Sequence, residues 1–149
     1  MEAVASASAI VGLIVPAVQI VKLLIEDIDK IVHIKGVIKD LRDELEVIQQ
    51  NLESLESISN TDNWKLLATG IQRQAETVVK SCRAACDSCR KDVQRWTQNN
   101  SSFELSILDR FNIFLREHKI KAMTARMQAC RDAFTCIQSL VVMYVLLHM

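Results

Sequence analysis

AVASASAIVGLIVPAVQIV, residues 3–21, runs for nineteen positions without a charge between Glu2 and Lys22, and Leu23, Leu24 and Ile25 follow at once. As a helix it reaches ~28 Å, close to the ~30 Å hydrocarbon core of a bilayer. The length permits a membrane span without requiring one. Five alanines, Ser6, Ser8, Gly12, Gln19 and Pro16 dilute its apolar character, and a proline removes one hydrogen bond from a helical ladder. Ile10, Ile14, Ala17, Val21, Leu24 and Ile28 line up as one stripe, while Val11, Val15, Val18 and Ile25 lie well round from it. A helix apolar on most sides belongs in an interior or in lipid. Burying its eleven large aliphatic residues between Ile10 and Ile25 is worth at least ~15 kcal/mol as an upper-end tally. The rest of the chain, another copy or a membrane must cover them.

The body that follows is helical by composition. Half of the 149 residues are apolar and 24 % are charged, with three glycines and one proline. That leaves little material for turns or sheet and enough chain for one domain with a core. The expected fold is all-α, an antiparallel bundle of four to five helices. It forms a single domain over 1–149, with residues 1–25 as the hydrophobic N-terminal helix and 26–149 as the bundle body. Ile31, Ile34, Ile38, Leu41, Leu45, Ile48, Leu52 and Leu55 recur at alternating spacings of three and four, a seam held over four heptads. Gly36 bends this helix or marks its join with the first.

Ser57, Ser59, Asn60, Thr61, Asp62 and Asn63 form a turn cluster able to cap the next helix. One helical stripe is then expected from Trp64 through Leu67, Ile71, Ala75, Val78, Cys82, Cys86, Cys89 and Val93 to Trp96. Ser101 and Glu104 stand at capping-box spacing. Phe103, Ile107, Phe111 and Phe114 or Leu115 give a fourth helix, with a break expected within Arg116 to Lys119. A second seam joins Ile120, Met123, Met127, Cys130, Phe134, Ile137, Val141 and Tyr144. Leu140 to Met149 carries no Lys, Arg, Asp or Glu and reads as a packed helix end or a sticky segment.

Formal net charge is zero, but the signs separate along the chain. Asp27 to Ile58 holds eight acids against four bases, and Asp62 to Gln98 seven bases against four acids. The second and third helical segments are therefore expected to attract each other. Lys80, Arg83, Arg90, Lys91 and Arg95 crowd the third. Such a cluster is a solvated face pairing with the acidic helix, or a contact for anionic lipid headgroups worth about 1 kcal/mol per base. Zero net charge and few aromatics speak against nucleic acid.

Catalytic chemistry finds little foothold. Cys82, Cys86 and Cys89 have the C-x-x-x-C-x-x-C spacing of a cluster-binding loop, but here they fall mid-helix on core positions and read as small buried thiols. A zinc site completed by Cys130 or Cys136 would want paired ligands on turns. His33, His118 and His148 have no neighbours at ligand spacing. No phosphate-cradling glycine loop or nucleophile elbow is present. A non-enzymatic protein without cofactor or metal is expected. Glu2 stands where a secretory basic region would, and no lipidation signal is evident. A cytoplasmic chain with five free thiols follows as the expectation.

Ala7 to Leu24, ASAIVGLIVPAVQIVKLL, followed by Leu41 to Leu55, LRDELEVIQQNLESL, resembles the opening of the HeLo-like N-terminal domains of fungal NOD-like (STAND) receptors. Arg116 to Leu140, REHKIKAMTARMQACRDAFTCIQSL, is similar to the helix that closes those domains. The resemblance implies a cell-death or signalling effector whose first helix rests on the bundle. Clustering would release that helix for insertion by several copies, moving a cytoplasmic protein to the membrane. Val4, Ile10, Val11, Leu13, Ile14, Val15, Val18 and Val21 would form the inserting face, and Pro16 departs from a straight inserted helix. The implied partners are anionic membrane lipids, further copies of the chain, and a receptor module in the same or another chain. The alternative is a helical scaffold that binds other helices through heptad seams left partly uncovered.

Overall fold

The computed structural model describes residues 2–30, 36–99 and 107–147, with side chains described outside 2–8, 96–99 and 107–115. Among the described residues there are five helices and no strand: α1 (Glu2–Asp29), α2 (Val37–Ser59), α3 (Asp62–Leu66), α4 (Thr69–Asn99) and α5 (Ile107–Leu147). The side chains of Val4, Ile31, Ile34, Trp96, Phe103, Ile107, Phe111, Phe114 and Leu115, and the Ser101–Glu104 capping box, lie outside the described residues.

The all-α bundle is as expected. α1 continues through Pro16, which has no N–H to offer the Gly12 carbonyl. Gly36 marks the join: it precedes α2 with φ 61°, a conformation that costs a side-chain-bearing residue strain. α5 shows no break at Arg116–Lys119.

The expected single helix from Trp64 onward is instead two. Leu67 turns extended, with ψ 147°, and ends α3. Gln72, buried at the start of α4, donates from Nε2 to the carbonyls of Trp64 (3.0 Å) and Leu67 (3.1 Å). These bonds satisfy the carbonyls that the break would orphan. The turn cluster also caps backward. Ser59 Oγ donates to Glu56 O and Thr61 Oγ1 to Ile58 O, closing α2, while no side chain caps α3.

Four long helices occupy the corners of a square, α1 beside α2 and α4, and α5 beside α2 and α4. Ion pairs and sulfur contacts give the directions. Arg42 near the start of α2 meets Asp29 at the end of α1, so these two run antiparallel. Arg90 late in α4 meets Asp27 late in α1, so these two run parallel. Cys89 faces Met123 and Cys86 faces Met127, so α4 and α5 run antiparallel. One layer is thus α1 and α2 with the short α3 against both, and the other is α4 and α5. The expected attraction between the acidic α2 and the basic α4 is not made by contact, because the two lie diagonally across the bundle. The cross-layer ion pairs are Arg90 to Asp27 of α1 and Arg131 of α5 to Glu44 of α2.

Candidate functional site

α1 fills the groove between α2 and α4 with the stripe read from its sequence: Ile10, Ile14, Ala17, Val21, Leu24 and Ile28 are all at most 1 % exposed. The reason is geometric. Positions three and four apart share one face of a helix, so one row of side chains enters the core together. Of the candidate inserting residues, Ile10, Ile14, Val18 and Val21 point into this core, Val11 and Leu13 are half-buried against it, and Val15 is exposed at 40 %. Leu23 is also exposed, at 38 %. The helix therefore keeps an apolar outer side that its neighbours leave to solvent. By length and composition alone, Ala9–Asp29 and Arg116–Leu147 could each cross a membrane, a property they share with buried helices of soluble bundles.

The seam of α2 is used up inside the chain. Leu41, Leu45, Ile48, Leu52 and Leu55 are fully buried, and Ile38 packs half-buried at their end. The α5 seam is likewise internal, with Ile120, Met127, Phe134, Ile137 and Val141 in the core and Met123, Cys130 and Tyr144 against it. These rows are thus not the open surfaces that a scaffold of helices would require. The apolar surface left exposed on α5 is its end, at Val142, Met143, Leu146 and Leu147. This agrees with the sticky-segment reading of the uncharged tail.

The basic cluster of α4 divides. Lys80 and Arg83 are exposed and carry no ion pair among the described residues. Lys91 and Arg95 are exposed but lie near Asp87 (3.5 Å) and Asp92 (3.8 Å) on their own helix. Arg90 is half-buried and engaged with Asp27 at 3.3 Å, so at rest it holds α4 to α1 instead of facing outward. Burial of both partners makes this pair stronger than its exposed neighbours.

Sulfur lines the interface of α4 and α5. The Cys89 thiol donates to Met123 Sδ at 3.2 Å, and one turn along, Cys86 donates to Met127 Sδ at 3.8 Å. Another turn along, Cys82 and Cys130 hydrogen-bond each other. Burial, helped by the Asp92 carboxylate, pushes the Cys89 thiol up to about 12. Such a thiol stays protonated and unreactive at neutral pH. Among the described residues, no three or more His, Cys, Asp or Glu side chains converge in a way that could hold a metal ion. Two shallow hollows between α4 and α5 measure about 260 and 350 Å³ and open onto solvent.

Trp64, Gln72 and Arg131 are contributors that sequence reasoning missed or misplaced. Trp64 is wholly buried in α3, and its indole N–H has no partner among the described residues. Arg131 Nη1 reaches both carboxylate oxygens of Glu44 at 2.8 and 2.9 Å. Only Gln72 left a local trace. The inner row of α4 runs Gln72, Ala75, Val79, Cys82, Cys86, Cys89 and Val93, and its three-four rhythm includes Gln72 and Val79 where Ile71 and Val78 were expected. The indole and the distant ion pair have no counterpart in local periodicity.

No curated protein and no solved structure matches the chain. Residues 1–135 match the family model described as Pigment biosynthesis cluster protein PigL N-terminal. That match takes in α1 to α4 and most of α5, so the apolar leading helix and the bundle that holds it are both inside the matched span. The chain belongs to the PigL_N family, a HeLo-like family of fungal domains.

Proposed function

We propose that this domain is a non-enzymatic effector that acts on membranes, in the manner of the domains carried by fungal NOD-like receptors, and that α1 is the element that moves. At rest the chain is cytoplasmic. On activation α1 leaves its groove, copies gather, and the apolar helix enters an anionic bilayer, with Lys80, Arg83, Lys91 and Arg95 at the headgroups. Regulated cell death is the proposed outcome. One observation carries the reading: α1 is apolar nearly all round, yet the bundle uses only one stripe of it, leaving Val15 and Leu23 outside. The bundle core has no use for an apolar outer side, whereas a bilayer does.

Val15→Glu separates the two uses. The position is exposed at rest, so the bundle is expected to keep its melting temperature within a few degrees, since surface substitutions cost about 0.5 kcal/mol or less. In hydrocarbon the same carboxylate costs about 2.5 kcal/mol or more per copy. Wild type is expected to release dye from phosphatidylserine-containing vesicles, and Val15→Glu to release at least tenfold less. Equal release by a folded Val15→Glu variant would refute insertion of α1.

A further inference from the structure

The fold turns a charge asymmetry along the chain into one across the molecule. Residues 1–67 carry eleven acids and six bases, and residues 68–149 carry twelve bases and seven acids. The first group builds the α1–α2 layer and the second the α4–α5 layer. A formally neutral chain therefore has an acidic side and a basic side back to back. Internal pairing leaves both outer faces charged. Asp40 and Asp43 on α2 and Lys80, Arg83, Lys121 and Arg126 on α4 and α5 are exposed, without an ion pair among the described residues.

We propose that the partner of both faces is a second copy of this chain, the acidic α1–α2 face of one copy lying on the basic α4–α5 face of the next. Two arguments favour a copy over a partner of single sign. A strongly acidic or basic partner satisfies one face and repels the other, whereas a copy supplies both complements. Zero net charge also removes the long-range repulsion that keeps like molecules apart. The two surfaces in contact differ, so each added copy leaves one face of each kind open and the assembly extends. This inference is independent of the membrane reading, because it needs neither a lipid nor release of α1.

Sedimentation velocity of the full chain tests it. At about 50 mM salt the weight-average sedimentation coefficient is expected to rise with concentration, and at about 500 mM to return to that of a monomer. Lys80→Glu with Arg83→Glu neutralises most of the basic face, and Asp40→Lys with Asp43→Lys most of the acidic one. Each double variant alone is expected to associate about tenfold more weakly or less. Mixed in equal amounts they are expected to form a one-to-one complex and stop, because each keeps the face the other has lost. Circular dichroism melts of the double variants confirm that they remain folded. A monomeric wild type at low salt, association indifferent to salt, or a mixture no different from its parts would overturn the proposal. A wild type that stays monomeric and binds phosphatidylserine vesicles through Lys80 and Arg83 would also overturn it, and would assign the basic face to lipid.

Discussion

Between α1 and α2 the core is made of aliphatic side chains, Ile14, Val21, Leu45 and Leu52 among them, whereas between α4 and α5 it is made largely of Cys82, Cys86, Cys89, Met123, Met127 and Cys130. Both layers bury their inner rows almost completely. They differ in how firmly the atoms specify the fit. Branched aliphatic chains have few rotamers and leave a void when trimmed. Thioethers and thiols are soft, and Met has three rotatable bonds with which to fill an altered gap. The layer that holds the mobile candidate α1 is thus the stiffly packed one, and the sulfur layer is the adaptable base on which it rests.

The largest test places a charge in the aliphatic row. Ile14→Asp buries a carboxylate at a position with no exposure and is expected to cost about 4 kcal/mol or more, leaving the domain unfolded or α1 detached. Val11→Asp, half-buried on the same helix, is expected to cost less than half as much. Thermal melts of the two compare them directly, and equal losses would mean that α1 is enclosed on all sides. Next in size is the contrast between layers. Leu45→Ala is expected to cost about 3 kcal/mol and Cys86→Ala about 1 kcal/mol, since the second removes less volume and lies among adaptable neighbours. Urea titrations giving equal costs would break the distinction between stiff and soft layers.

A smaller effect belongs to the sulfur layer alone. Cys89 is held protonated up to about 12, mainly by burial and then by Asp92, while an unfolded chain loses this proton near pH 8.5. Because the folded pKa is the raised one, its contribution is fully present below about pH 8.5 and is lost as pH climbs toward 12. Stability of the wild type is expected to fall through that window, by on the order of 2 kcal/mol at pH 11 from this thiol. Cys89→Ala should flatten the decline. Denaturant midpoints measured from pH 8 to pH 11 check it, and parallel curves for the two proteins would remove Cys89 as the cause.

The inner rows of α1, α2 and α5 were legible in the sequence because helical periodicity is local. Ile10 to Ile28 and Leu41 to Leu55 share faces whatever the partner is, and their burial follows once any partner covers them. The apolar girth of α1, the uncharged end of α5 and the opposite charge of the chain's two halves are likewise properties of composition. Which row meets which was not legible, since one apolar seam fits another equally well on paper. Only the tertiary structure set α1 beside α4 and moved α2 to the diagonal. It also split the Trp64 stripe at Leu67, where burying the indole and bonding Gln72 to two orphan carbonyls outweighs one more turn of helix. The same packing turned Arg90 inward to Asp27 and Arg131 to Glu44. Contacts between residues so far apart in the chain are chosen by the packing of whole helices, and no local spacing encodes them.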